Sequence, residues 1–158
     1  MDVGVTVAVW LHALSTVIVL GYYGILGRIV LPALERSLSG PRLGQAIVAI
    51  ERRAVPVLGI SVVAFTVTGV YLLLVDPSFD GLGRFGSTWA SLMLVKHLLV
   101  GLMVVGGVGV HWLAGRVADP DLDDEHQRAS LGHLRLAAEA MTGVGAVILL
   151  LTAAAQVG

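Results

Sequence analysis

The sequence predicts an all-α integral membrane protein, a four-helix transmembrane bundle in one domain over residues 1–158. Three observations carry this expectation. The chain is 56% hydrophobic and 13% charged, where a soluble domain has about a quarter of its residues charged. Its mean hydropathy is +0.89. Its apolar residues fall into four runs, each long enough to cross a bilayer core of about 30 Å, with most charges confined between them.

The first span is expected over 3–27. Asp2 precedes it where a secretory signal would have basic residues, and the apolar run is too long for one. It should end where Arg28 reaches the surface and Leu31–Pro32 breaks the pattern. Residues 28–53 read as a loop with a turn over Ser37–Leu38–Ser39–Gly40–Pro41 and a short amphipathic piece leading into the second span. The second span, 54–75, has Pro56 in its first turn, where the missing N–H does no harm, and Asp76–Pro77 ends it. An outer loop over 76–88 follows. The third span is 89–115. Residues 116–133 form an acidic connector in which Asp121 or Asp123 caps the last helix. The fourth span, 134–157, holds a single acid, Glu139, and the small-residue stretch Ala140–Ala146, suited to close helix packing.

Orientation follows from the basic residues beside the spans. Loop 28–53 holds Arg28, Arg36, Arg42, Arg52 and Arg53, and the second connector holds Arg116, Arg128 and Arg135, against Arg84 alone on the other side. The positive-inside rule then places both loops in the cytoplasm and both termini outside the plasma membrane. Trp10 and Trp89 fall near the outer interface and Trp112 near the inner one, as an aromatic belt requires. The absence of cysteine excludes disulfides, thiolate metal sites and covalent c-type haem. No basic, aromatic-rich patch suggests nucleic acid.

Ionisable groups at membrane depth are the functional candidates, because they are expensive there. His97 and His111 are 14 residues apart, within roughly 40° of the same helix face and about 21 Å apart along the axis. His12 and His97 lie roughly 24 and 28 Å above the arginines that end their helices, matched depths near the outer side. His12 and His97 are each followed by glycines at +9 and +12 (Gly21 and Gly24; Gly106 and Gly109), so the two helical hairpins look related, each contributing one outer histidine. His111 and His133 could meet near the inner side. His126 reads as interfacial. Glu139 is either an interhelical hydrogen-bond partner or the orienting partner of a ligand histidine.

Two ligand chemistries fit. His12 and His97 would supply the axial ligands of an outer b-type haem, with His111 and His133 holding an inner one. Alternatively His12, His97 and Met93 would hold copper, since thioether and imidazole suit Cu(I) and Met93 lies four residues before His97 on the same face. Lys96 bears on the choice. An ammonium about 6 Å from a univalent cation costs about 2–3 kcal/mol at an effective dielectric near 20, and near a haem propionate it gains a comparable amount. The bland alternative is that Lys96 snorkels to the headgroups.

The segments LHALSTVIVLGYYGILGRIVLPAL and LVKHLLVGLMVVGGVGVHWLAGR resemble the CopD-type (copper-resistance protein D) membrane domain, whose wider grouping includes the HemJ-type protoporphyrinogen oxidases. His12, Gly21, Pro32 and Lys96 are the matching positions, and Leu20 stands where CopD-like helices usually carry Trp. The resemblance covers about half the chain. Its CopD side implies copper handling at the membrane. Its HemJ side implies haem binding and porphyrinogen oxidation.

The leading expectation is a haem b protein moving electrons through paired histidines, with quinone or a redox subunit as partner besides the lipid bilayer, and with His12, His97, Lys96, His111 and His133 at the cofactor. The alternatives are copper transport or resistance through His12, His97 and Met93, a non-catalytic subunit or oligomer, or a HemJ-like enzyme.

Overall fold

The structure is a computed structural model and describes residues 2–77 and 88–157, with side chains described for 2–77 and 91–154. Arg84, most of the outer loop and the side chain of Trp89 lie outside the described residues.

Helix α1 covers Val3–Ile25, and its first turn is closed by Asp2, whose carboxylate accepts the Gly4 N–H at 2.8 Å. A π-helical turn, Leu26–Val30, leads directly into α2, Leu31–Ser37. The first span therefore runs on past residue 27 and through Pro32. Proline lacks the N–H that would serve the carbonyl four residues back, and its ring crowds that carbonyl. The wider π turn just before it makes the room. Gly40, at φ +55°, reverses the chain into α3, Pro41–Leu74.

Helix α3 absorbs residues 41–53, expected as loop, and carries Pro56 in its interior and not in its first turn. The charged residues there keep helical periodicity. Leu43, Gly44, Ile47 and Glu51 are buried while Arg42, Arg52 and Arg53 are exposed. Helix α4 covers Thr88–Val117 and α5 covers Asp124–Val157. The last helix starts ten residues before the expected 134 for the same reason. Leu131 and Leu134 are buried, and His126 and Arg128 are exposed. Asp123 is the cap: its Oδ1 accepts the His126 N–H at 2.9 Å.

The four long helices run up and down. Helix α1 packs antiparallel on α3, with Gly4 beside Tyr71, His12 beside Phe65 and Tyr22 beside Glu51. Helix α4 packs on α5, α5 also packs on α1, and α3 on α4, so α1 and α4 face each other across the centre of a ring. The turns at 38–40 and 118–123 share one end, here the connector end. Gln127 ties them together by donating to the carbonyls of Val117 at 2.9 Å and Gly40 at 3.4 Å.

The dense core sits at the connector end, where Leu31, Leu43, Ile47, Val110, Ala114, Val117, Leu131, Leu134 and Ala138 form one cluster. Outside, the helices show apolar side chains freely: Ile60 is 72% and Leu150 70% exposed. Four helices are long and apolar enough to cross a membrane. With lipid as solvent, such faces carry no penalty, and the bundle is held by close packing and internal hydrogen bonds. Gly44 shows how close: a methyl there would come within 2.6 Å of the Ala118 Cα.

Candidate functional site

Three helices each turn one stripe of side chains to the bundle centre. On α1 it is Thr16, Val19 and Tyr23, with His12 one turn before Thr16 and outside the cavity lining. On α3 it is Glu51, Val55, Leu58, Val62 and Phe65. On α4 it is Val100, Val104, Gly107 and His111, while Met93 and the exposed His97 lie beyond the cavity lining toward the terminal end. Within each stripe the residues lie within about 60° of the first one's direction on an α-helix. Between the stripes lies a cavity of ≈ 350 Å³, running from Thr16, Phe65 and Val100 to Tyr22, Glu51 and His111. Its walls are nearly all apolar. Its length along α3, from Glu51 to Phe65, is about 21 Å.

At the terminal end, His12 is half-buried and stacks on Phe65, with ring centroids 4.2 Å apart. Its Nδ1 is 3.1 Å from both the Phe65 carbonyl and the Thr68 hydroxyl oxygen. The Thr68 hydroxyl donates to the Ala64 carbonyl at 2.6 Å. Both oxygens around the imidazole are thus acceptors, so Nδ1 carries the hydrogen and Nε2 keeps its lone pair. His97 repeats the pattern on α4, where Nδ1 donates to the Met93 carbonyl at 2.6 Å. Lys96 and His97 both lie within electrostatic reach of His12, and Asp76 lies within reach of Lys96. His12, Lys96 and His97 are therefore together at one end.

At the connector end stands Glu51, next in sequence to Arg52 and Arg53. It is 4% exposed. The Tyr22 hydroxyl donates to its Oε1, and the Nδ1 of His111 lies 3.3 Å from its Oε2. Tyr23 packs beside them, its hydroxyl occupying the space that Gly107 leaves open on α4; a methyl there would come within 2.7 Å of it. The signal for Glu51 was present in the sequence. Leu43, Ile47, Glu51 and Val55 recur every four residues, an unbroken helical stripe into the second span. Met103, whose thioether lines the cavity, was also passed over.

The remaining candidates lie apart. His111 is brought to Glu51, while His133 sits exposed on α5, outside the cavity lining. Glu139 takes neither expected role: it accepts from Arg135 on its own helix at 3.1 Å. His126 pairs with Asp123 at 2.7 Å at the start of α5. Hydrogen bonds from the His126 backbone and ring hold the Asp123 carboxyl below the ordinary carboxylate range. Trp112 is exposed, with the Arg116 guanidinium 5.0 Å over its ring, an interfacial pairing. Among the described residues no group of three or more His, Asp or Glu side chains gathers closely enough to hold a metal ion by itself.

The family model for copper resistance protein D, CopD, matches residues 50–155. The matched region contains Glu51, Met93, Lys96, His97, Met103, His111 and His133, and leaves out His12 and Tyr22. No curated protein and no solved structure matches the chain.

Proposed function

This chain belongs to the copper resistance protein D family, and from that premise we propose that it handles copper in the membrane, for transport or tolerance. Copper is its cargo, received at the terminal end by His12, His97 and Met93. The observation that supports this reading is the shared tautomer of the two histidines. Each commits Nδ1 to a carbonyl and leaves Nε2 as a lone-pair donor at the same end of the bundle, the arrangement in which protein histidines bind metals. Met93 supplies a soft thioether one turn from His97. Asp76, within reach of Lys96, offsets the ammonium whose repulsion would otherwise count against a cation there. In this reading the termini lie outside the plasma membrane, as the Lys and Arg distribution suggests, so the station faces incoming copper.

The test is copper uptake and copper tolerance in cells expressing the protein, beside Met93→Ala and His97→Ala variants at equal membrane levels. Both variants lose the copper phenotype if the reading holds. Equal phenotypes in all three overturn it.

A haem b on His12 and His97 is the second reading, favoured by Lys96 beside the pair, where a propionate would be welcome. A reduced-minus-oxidised visible spectrum of purified protein, with metal analysis on the same sample, separates the two. Sharp b-type bands lost in His97→Ala support haem; bound copper without such bands supports copper handling.

A further inference from the structure

The connector end of the cavity has a feature that copper binding at the other end does not use. Glu51 is a carboxylate buried at the floor of an apolar cavity, inside a membrane-spanning helix. Among the described residues its ion-pairing partner is His111, a group that carries charge only when protonated, and no Lys or Arg pairs with it. A carboxylate so placed is costly in lipid unless a proton or a cation accompanies it. The place open to a proton is between Oε2 and Nδ1, because the Tyr22 hydroxyl already donates to Oε1. His111 lies on the connector side of the buried group. Its side chain is 61% exposed, and it sits five residues before Arg116, about 7.5 Å along α4 from the surface marked by that arginine.

We propose that Tyr22, Glu51 and His111 form a proton-exchange site at the inner end of the cavity, loading one proton from the connector side and releasing it when a cation enters the bundle. The coupling to cargo rests on the copper reading; the proton site itself does not. One proton leaves through His111 for each univalent copper ion that arrives, so the charge inside the low-dielectric bundle is unchanged and no bond other than O–H or N–H is made or broken. The titratable groups around Glu51 suit this role. Tyr22 and Tyr23 face it from α1 and His111 from α4. Arg52 and Arg53, next on its own helix, are exposed, as are Glu35 and Arg36 on α2, which packs against α3.

The experiment is infrared difference spectroscopy on the full, copper-free protein in lipid nanodiscs as pH is lowered. The difference between wild type and Glu51→Gln should hold one band, from a protonated carboxyl in apolar surroundings or from imidazolium, apart from those of the other ten of the chain's 11 acids. Tyr22→Phe, which removes a donor to the charged form, should bring the band in at higher pH. This variant keeps the test decisive if Glu51→Gln does not fold. A difference spectrum with neither band, or a band unmoved by both variants, overturns the site. Proteoliposomes given Cu(I), with a pH dye on the connector side, then read the coupling. The expected result is one proton released per copper ion in the wild type and none in Glu51→Gln. Copper uptake with no proton release, or with equal release in the variant, overturns the coupling and leaves the copper reading standing. No uptake by the wild type removes the copper reading and leaves the infrared band to decide the proton site.

Discussion

The two halves of this bundle are built from the same kinds of residue and do opposite things. At the connector end, Leu31, Ile47, Val117, Leu134 and Ala138 are fully or almost fully buried, and both turns are tied through Gln127. Above that packing the same helices stand apart around a cavity of ≈ 350 Å³ with Glu51 and His111 at its lower end, and beyond its upper end lie His12 and His97. In a membrane neither half gains from the hydrophobic effect between helices, so stability comes from contact density and hydrogen bonds. The packed half holds the fold, and the open half is free to hold something else.

That division can be broken by mutation. The largest stability effect is expected from Leu134→Ala, 0% exposed in the packed half, which should lose about 2 kcal/mol or more through lost contacts. Val104→Ala, in the cavity wall, should change stability by less than about 0.5 kcal/mol. Denaturation in mixed micelles checks both, and equal losses would erase the contrast. Gly44→Ala, which drives a methyl into the Ala118 backbone, should cost about 1–3 kcal/mol by overpacking in the same assay. Tyr22→Phe removes a hydrogen bond to a buried carboxylate and should cost about 1.5–3 kcal/mol, marking where the packed half meets the cavity.

The smallest effect lies outside the membrane, at the Asp123 cap. Its carboxyl is held below its ordinary range in the folded protein, so its contribution is present above the unfolded carboxylate range and is lost as pH falls through the folded value. Asp123→Ala should therefore melt below the wild type at neutral pH and converge with it in acid. Thermal melts at the two pH values check this, and a gap that widens in acid would reverse the sign.

The division was only partly legible in the sequence. The four spans, the Asp123 cap and the matched level of His12 and His97 follow from apolar run length and helical rise, which a bilayer enforces strongly. The extensions of the helices did not follow. Residues 41–53 and 124–133 are dense in charge, and charge suggested loop, yet Leu43, Ile47, Leu131 and Leu134 kept a buried face running through them. Glu51 is hidden for that reason: its arginine neighbours suggest a surface, while its four-residue spacing from Ile47 and Val55 puts it on the buried face. The continuation past Pro32 depends on a π turn that no residue pattern announces. The cavity could not be read at all, because it depends on how far α1 and α4 stand apart across the ring.

The central claim is that copper binds at the terminal end, on His12, His97 and Met93, while the connector end handles protons. It is tested most directly by titrating Cu(I) into purified protein against a chromophoric chelator, with His97→Ala and His111→Ala side by side. The account predicts stoichiometric copper binding by the wild type and by His111→Ala, and a loss of tenfold or more in affinity for His97→Ala, equivalent to about 1.4 kcal/mol. Binding that survives in His97→Ala and disappears in His111→Ala would contradict it.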